Sequence, residues 1–349
     1  MKNDPAVRAI IAAWRRLTTE AARRRAGPGA PLVIACSGGA DSSALAIALS
    51  AAVAGSREAP RVVLGHVVHD LRPRREALAD RDATRELAAR LGLEFREAAV
   101  RVRTGKSARL NAEGAARIAR YRAMARMARD LGIAFVATAH HADDQLETVL
   151  MALLRGAGPR GLSGVAEVRR HEGVSIIRPL LAARIGRADA ERICREFGWT
   201  WREDSTNTDE SRLRAAVRRR VTPVLKAIRP RAADRACATA SLMADLAGLV
   251  RSRAARLWSH RVQDRAGGAV SWERARVRRV RPVVLGEMLR LAASEHGEGR
   301  GADRVGQRSL GPVVRAIRDD CTDPRRFMAG GIEVDVTART VTIRKRRTG

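Results

Sequence analysis

The stretch LVIACSGGADSSALAIAL, residues 32–49, decides the fold class of this chain. A short apolar run, typical of a buried strand, ends in a turn of small and polar residues and continues into an apolar segment of helical character. Two adjacent glycines in the turn allow backbone N–H groups to approach a phosphate closely. A helix that follows directly would turn its N-terminus to the same place, which favours an anion. The stretch therefore predicts a phosphate-binding turn within an α/β domain.

The turn has no lysine, and its six residues are Ser37, Gly38, Gly39, Ala40, Asp41 and Ser42. The two serines offer hydroxyl donors to a phosphate. Asp41 is unusual there, because a carboxylate repels phosphates unless a cation lies between them, so Asp41 is a candidate Mg²⁺ ligand. Alternatively, Asp41 or Ser42 only caps the helix, and the turn alone leaves both interpretations open.

Strand-like and helix-like segments alternate over the first two-thirds of the chain. Strands are predicted at 31–36, 61–68, 93–102, 133–139 and 174–180, with helices near 41–54, 76–91, 111–131, 143–154 and 185–197. Strands separated by helices are typical of parallel βαβ units, so we predict an α/β fold with a doubly wound parallel sheet.

The pattern changes after these segments. Helical patterns cover 229–264, 281–294 and 308–318, and the end of the chain alternates apolar and polar residues as a β-hairpin does. We therefore predict a nucleotide-binding catalytic domain over 1–225 and a smaller, mostly helical accessory domain over 226–349.

Polar residues follow three of the predicted strands: the turn at 37–42, His69 to Arg72, and HHADDQ at 140–145. Because ligands of open parallel sheets bind at the carboxyl ends of strands, we expect these three segments to converge.

The third segment continues into HHADDQLET, residues 140–148, where Asp143 and Asp144 begin a predicted helix. Acidic residues suit the first turn of any helix, which explains the aspartates without a ligand but not the paired His140 and His141. A zinc site is conceivable from these residues, but carboxylates beside a phosphate turn favour Mg²⁺. In the preceding helix Arg117 and Tyr121 share a face, although the spacing alone favours a solvated basic surface.

The chain is strongly basic, with 67 lysines and arginines against 38 acidic residues among 349, a net charge of +29. We expect such a chain to bind a polyanion, and nucleic acid is the leading candidate.

No apolar run approaches 18 residues, so no membrane association is expected. The four cysteines (Cys36, Cys194, Cys237, Cys321) include no C-x-x-C pair, which argues against a disulfide framework and favours a cytoplasmic location.

The turn SGGADS resembles the S-G-G-x-D-S loop of the PP-loop ATP pyrophosphatase superfamily, whose members attack ATP at the α-phosphorus and release pyrophosphate. That chemistry explains the missing lysine, which in Walker-type loops serves transfer of the γ-phosphoryl group. Further motifs follow in one order: HDLRP (69–73), NAEGAARIARYR (111–122), ATAHHADDQLETVLMALLRGAGPRGLSGV (137–165), RPLL (178–181) and WREDSTNTDESRLRAAVRRRVTPVL (201–225). Together they resemble the tRNA(Ile)-lysidine synthetase family, closely over about 30–225 and more loosely beyond.

The resemblance implies a reaction in two steps that uses ATP and Mg²⁺. ATP adenylates the C2 oxygen of the wobble cytidine in the CAU anticodon of tRNA(Ile), and the ε-amine of L-lysine then displaces AMP to give lysidine. A homodimer is left open.

The resemblance also implies site residues. It places ATP on the turn and on His69 and His140, with Mg²⁺ on Asp41 and Asp143. The implied catalytic residues are Asp41, Asp143, Asp144, Arg117 and Arg155, of which the arginines would stabilise charge on the α-phosphate. Arg72, Glu113, Tyr121 and Glu147 match motif positions without an assigned role. In one departure, Arg214 is followed by Ala215 where the family usually has asparagine.

Three other functions compete with this interpretation. A PP-loop 2-thiocytidine synthetase commonly uses paired cysteines, which are absent here. An amidating synthetase such as an NAD synthetase does not require the strongly basic charge. A non-catalytic tRNA-binding protein with a relic loop would not require Asp41, Asp143 and Asp144.

Overall fold

The computed structural model describes residues 1–22, 29–55, 58–70, 73–101, 112–202, 213–260, 262–263, 269–296 and 307–345. Contacts between Cα atoms divide the chain into two compact units. The first comprises Met1–Met151 and Gly164–Ala240, and the second comprises Ala152–Ser163 and Ser241–Gly349. The predicted domain boundary between residues 225 and 226 stays a prediction.

A six-stranded sheet lies at the centre of the first unit. Its strands are β1 (Leu32–Ala35), β2 (Val62–His69), β3 (Glu94–Val100), β4 (Phe135–Ala137), β5 (Val168–His171) and β6 (Val174–Ile177). The order is β3-β2-β1-β4-β6-β5, and every pair is parallel except β5 with β6. Strand order reverses between β1 and β4, which is where ligands of open α/β sheets bind.

Helices cover both faces of this sheet, as a doubly wound fold requires. In chain order, the helices as far as residue 259 are α1 (Pro5–Ala22), α2 (Ala40–Val53), α3 (Arg74–Leu91), α4 (Ala112–Asp130), α5 (Ala142–Leu154), α6 (Pro159–Leu162), α7 (Pro179–Ala182), α8 (Arg187–Glu196), α9 (Leu213–Ala216), a π-helical turn (Val217–Val221), α10 (Thr222–Ile228) and α11 (Ala232–Ser259). Of these, α6 and the part of α11 after Ala240 group with the second unit. Alternate residues of β1 supply the two cores: Ile34 packs with α1, α2 and α8, whereas Val33 packs with α4. The predicted doubly wound α/β fold is confirmed.

The second unit contains an antiparallel sheet in the order β7-β8-β11-β10-β9. Its strands are β7 (Val262–Gln263), β8 (Val270–Glu273), β9 (Arg325–Ala329), β10 (Ile332–Val336) and β11 (Thr340–Lys345), accompanied by α12 (Arg274–Val277), α13 (Pro282–His296) and α14 (Gln307–Arg318). The predicted C-terminal hairpin is β10–β11, with Val334 opposite Ile343. Sequence patterning missed β7, β8 and β9, so this unit has more sheet than expected. The helical pattern predicted to residue 264 was too long, because α11 ends at Ser259 and β7 follows it. None of the described helices combines the length and apolar character that crossing a membrane requires.

Candidate active site

The turn after β1 closes around the buried hydroxyl of Ser42. This Oγ accepts a hydrogen bond from the Ser37 N–H at 3.1 Å and donates to the Gly39 carbonyl at 3.1 Å. Gly38 has φ +87°, a conformation that residues with a Cβ rarely adopt. Ser42 therefore shapes the turn from inside, whereas Ser37 is exposed at its surface.

The N-terminus of α2 supplies the donors that an anion needs. Gly39 is the N-cap residue, and the first helical hydrogen bond runs from the Ser43 N–H to the Gly39 carbonyl at 3.0 Å. Within the described part of the chain, no hydrogen bond engages the N–H groups of Gly39, Ala40 or Asp41. These groups and the helix dipole favour a phosphate at this position.

A cavity of about 330 Å³ lies beside the turn. The three strand ends predicted to converge all contribute to its wall: Ser37 and Gly39 after β1, His69 at the end of β2, and His140 after β4. The turn and the cavity thus lie at the reversal of strand order.

Arg117 of α4 is held at the cavity wall by His140. Its Nη2 lies 2.8 Å from His140 Nε2 and 3.3 Å from the Tyr121 hydroxyl, while Thr138 Oγ1 lies 3.0 Å from His140 Nδ1. Burial lowers the pKa of His140 well below its usual value, so the ring is neutral. A neutral ring accepts from Arg117 through Nε2 and donates to Thr138 through Nδ1.

His141 lies between two carboxylates. Its Nε2 is 3.5 Å from Asp41 Oδ2 and 3.6 Å from Asp144 Oδ2. Burial opposes its charged form, but the negative charges of Asp144 and Asp41 outweigh burial and raise the pKa of His141 to about 9. At neutral pH an imidazolium therefore lies between these aspartates.

The three aspartates differ in their suitability for a cation. Asp41 Oδ1 is buried and has no hydrogen-bond partner among the described residues, so this oxygen fits a metal ion. Asp143, predicted as the second ligand, is instead paired with the ammonium group of Lys226 and accepts a hydrogen bond from the Arg187 N–H at 2.9 Å. Among the described residues, no group of three or more His, Cys, Asp or Glu has the arrangement of a complete metal site.

Two arginines that sequence analysis did not select hold the acidic face of α5. Arg214 donates to Glu147 Oε2 at 2.9 Å and to Asp144 Oδ1 at 2.7 Å. Arg218, in the π-helical turn, donates to Glu147 Oε1 at 2.6 Å. Burial opposes ionisation of Asp144, but His141 and Arg214 outweigh it and lower its pKa. The four-residue spacing of the arginines shows a shared helix face, but it does not reveal the carboxylates that this face meets.

Several predicted positions lie outside this cluster. Arg155 is exposed, belongs to a segment that groups with the second unit and does not line the cavity. Arg72 lies outside the described residues, as does the side chain of Glu113. Their proposed roles stay predictions.

Comparison with known proteins places this geometry in a family. A family model for the PP-loop domain matches residues 15–225. The chain is 38% identical over 328 residues to the tRNA(Ile)-lysidine synthase of Salinispora tropica, covering 93% of each protein. It is 35% identical to the enzyme of that name from Salinispora arenicola, over 95% of this chain and 96% of that one.

This chain belongs to the tRNA(Ile)-lysidine synthase family. A further member, from Bordetella bronchiseptica, is 42% identical over 222 residues, and the match spans 62% of this chain and 61% of the Bordetella protein. Among solved structures, the U34-tRNA thiolase NcsA from Methanococcus maripaludis, described with its [4Fe-4S] cluster, has a TM-score of 0.54 at 16% identity. That match covers 68% of this chain and 77% of the thiolase and shows a shared fold.

Three of the four cysteines of this lysidine synthase family member do not resemble reactive thiols. Cys36, Cys194 and Cys237 are buried. Burial raises the pKa of Cys194 to about 12 and that of Cys237 to about 11, and it also raises the pKa of Cys36 beside the turn. Since the thiolate is the reactive form, these side chains suit packing rather than sulfur transfer.

Proposed function

We propose that this chain is an ATP-dependent ligase that converts the wobble cytidine of the CAU anticodon of tRNA(Ile) into lysidine. ATP activates the C2 oxygen with release of diphosphate, and L-lysine then displaces AMP. The observation that supports this proposal is the turn at the end of β1. Its N–H groups that make no hydrogen bond within the described residues lie beside a cavity lined by Arg117 and His140. Similarity to lysidine synthases over most of the chain supports the same reaction.

The turn binds the phosphates of ATP through the N–H groups that begin α2. Arg117, oriented by neutral His140 and by Tyr121, stabilises negative charge that develops at the α-phosphate. Asp144 stays ionised because its pKa is lowered, so it provides a fixed negative charge and is a poor proton acceptor.

Asp41 is the residue proposed to hold Mg²⁺, through the oxygen that lacks a partner among the described residues. When bound, the cation would supply positive charge against the pyrophosphate leaving group. Asp143 enters this proposal only if Lys226 releases its carboxylate.

The second unit is proposed to bind the tRNA backbone, within the accessory domain of residues 226–349. Arg315 and Arg318 are exposed on α14 beside Phe327, and neither forms an ion pair within the described ranges. Arg326, by contrast, pairs with carboxylates of the neighbouring strand. Unpaired guanidinium groups suit phosphodiester recognition because no intramolecular carboxylate must be displaced.

The function is tested with purified protein, ATP, Mg²⁺, L-lysine and a CAU-anticodon tRNA(Ile) transcript. We expect AMP and diphosphate to form and mass spectrometry of the digested tRNA to show lysidine. AMP formation that depends on a sulfur donor instead of lysine would identify a thiolation enzyme. Absence of nucleotide turnover with retained tRNA binding would identify a non-catalytic binding protein.

The tRNA surface is tested with the double variant Arg315→Gln/Arg318→Gln. We expect weaker tRNA binding and a shallower dependence of affinity on salt, by about one unit of slope for each phosphate that the variant no longer binds. Arg326→Gln is the control, because its guanidinium is already paired. Equal effects of both variants would contradict the assignment of this surface.

Location and assembly follow from the same proposal. A reaction that consumes ATP and tRNA is proposed to take place in the cytoplasm. We also propose that the protein forms a homodimer. Sedimentation equilibrium tests this, and a mass of 37.9 kDa at all concentrations would exclude the dimer.

A further inference from the structure

The segment from Cys194 to Arg202 contacts the turn and the start of α2 at three points. Cys194 Sγ contacts the Ala40 carbonyl at 3.4 Å, and Trp199 Nε1 donates to Ser43 Oγ at 3.2 Å. Next, the Arg202 N–H donates to the Gly38 carbonyl at 3.1 Å. The residues from α8 to Arg202 therefore lie alongside the turn.

The side chain of Arg202 is itself anchored, by Asp80 of α3. Arg202 Nε donates to Asp80 Oδ1 at 2.7 Å, and the Asp80 side chain is only 11% exposed. The backbone of α3 also packs against the turn, because a Cβ added at Gly38 would lie 3.5 Å from the Asp80 carbonyl oxygen. Gly38 is thus held by α3 on one side and by Arg202 through its carbonyl.

The Gly38 carbonyl fixes the orientation of the next peptide group. In a trans peptide the C=O and the following N–H point in opposite directions. A Gly38 carbonyl directed to Arg202 therefore directs the Gly39 N–H away from Arg202, and Gly39 lines the cavity. If this peptide rotated by half a turn, a carbonyl oxygen would replace the N–H and would repel a phosphate.

We propose that Asp80 and Arg202 are positioning residues that hold the 38–39 peptide in its anion-binding orientation. The Asp80–Arg202 ion pair fixes the backbone of residue 202, whose N–H then holds the Gly38 carbonyl. Both residues line the cavity, so the test has to separate this positioning role from direct contact with ATP. The inference rests on the proposed function only in that the turn binds ATP.

Calorimetric titration of ATP in the absence of tRNA tests this proposal. Asp80→Asn and Arg202→Gln each remove the ion pair but keep the backbone N–H of residue 202. We expect each to weaken ATP binding about tenfold, the double variant to be no weaker than either single one, and tRNA affinity to be unchanged. Arg202→Lys, which can still pair with Asp80, should recover part of the loss.

The control is the double variant Arg61→Gln/Glu94→Gln. These residues form an ion pair with the same 2.7 Å contact, more exposed than Asp80–Arg202 and outside the cavity lining. We expect ATP affinity to be unchanged there and the Tm of all these variants to stay within a few degrees of the unmodified protein.

Two outcomes would overturn the proposal. If Arg202→Gln weakens ATP binding far more than Asp80→Asn and the effects multiply in the double variant, the guanidinium acts on ATP directly. If Asp80→Asn lowers Tm while ATP affinity stays unchanged, the ion pair only stabilises the fold. A protein that binds ATP with this dependence but makes no lysidine would contradict the proposed ligase and leave the positioning role intact.

Discussion

Three aspartates of the candidate site differ because their neighbours differ. Asp143 is balanced by Lys226, and Asp144 by Arg214 and His141. Asp41 faces His141 through one oxygen, while its other oxygen has no partner in the described part of the chain. The resemblance implied Asp41 and Asp143 as Mg²⁺ ligands, and both stay predictions. The surroundings favour Asp41 for the proposed role, because Lys226 pairs with Asp143.

Asp41→Asn is expected to reduce AMP formation about a hundredfold or more, because the amide cannot supply the negative charge that a bound Mg²⁺ requires. Affinity for tRNA should stay within about twofold, since phosphate contacts to arginines dominate that binding. AMP release measured with saturating tRNA, together with filter binding, checks both outcomes. A large loss of tRNA affinity would contradict the metal role.

Gly38→Ala tests the left-handed conformation of the turn. With φ at +87°, the added Cβ strains the backbone by roughly 1–3 kcal/mol. We expect a raised KM for ATP and a modest fall in Tm. Gly92→Ala is the matched control, because Gly92 has φ +65° at the end of α3 and a Cβ there meets no neighbouring atom. A similar loss of stability with unchanged KM is expected for the control.

At the scale of elements, the sequence pattern identified the strands that build the active site, because each is a short apolar run. It missed β5, VRRH at a sheet edge, because two of its four residues are charged. It also extended the strand predicted at 174–180 too far. The observed strand, β6, ends at Ile177, and Pro179 begins α7 two residues later. A local sequence pattern reveals buried apolar residues and turn residues. An edge strand such as β5 buries few side chains, so its sequence gives little signal.

The pairing of α5 with Arg214 and Arg218 shows a second limit. Both segments were recognised as motifs, yet Glu147 and Arg214 lie 67 residues apart in sequence. Periodicity shows which side chains share a helix face but not which distant face they meet. The pairing therefore appears only once the chain is folded.

Helix α1 offers a test of one element. Asp4 accepts a hydrogen bond from the Val7 N–H at 2.9 Å, as an N-cap residue does, and it pairs with Arg192 at 2.7 Å. We expect Asp4→Ala to lower the free energy of unfolding by about 1 kcal/mol or more, because both the cap and the ion pair are removed. Asp4→Asn keeps the cap and isolates the ion pair. Urea denaturation measures both.

The contribution of Asp4 depends on pH with a defined sign. The hydrogen bond from Arg192 lowers the pKa of Asp4 below its usual 3.8. A carboxyl whose pKa is lowered by folding stabilises the protein above its unfolded pKa and loses that contribution as pH falls through the folded value. We therefore expect the stability difference between the unmodified protein and Asp4→Asn to be constant near neutrality and to vanish in acid. A difference that grew in acid would contradict the pairing.

At the scale of the whole molecule, the excess of arginine serves two purposes. Many arginines balance carboxylates, and others leave the net charge of +29 available to a polyanion. One arginine of the second unit, Arg274, pairs with the Asp319 carboxylate at 2.9 Å and also binds a set of backbone carbonyls. Arg274 is 5% exposed and donates to the carbonyls of Ala316, Ile317, Asp319, Cys321 and Thr337. It thereby joins the end of α14 to the turn between β10 and β11.

Arg274→Met is expected to destabilise the second unit by roughly 3–5 kcal/mol, because two buried and three partly buried carbonyls would lose their donor at once. The proposed ATP site lies in the first unit, so ATP affinity should be retained. Hydrogen exchange followed by mass spectrometry locates the effect: peptides from α14 and β9 to β11 should exchange faster, and peptides from β1 and α2 should not. Arg276→Met, an exposed neighbour that pairs with Glu273, should change stability by less than about 0.5 kcal/mol. Faster exchange throughout both units in Arg274→Met would show that they unfold together, contrary to a division into separate compact units.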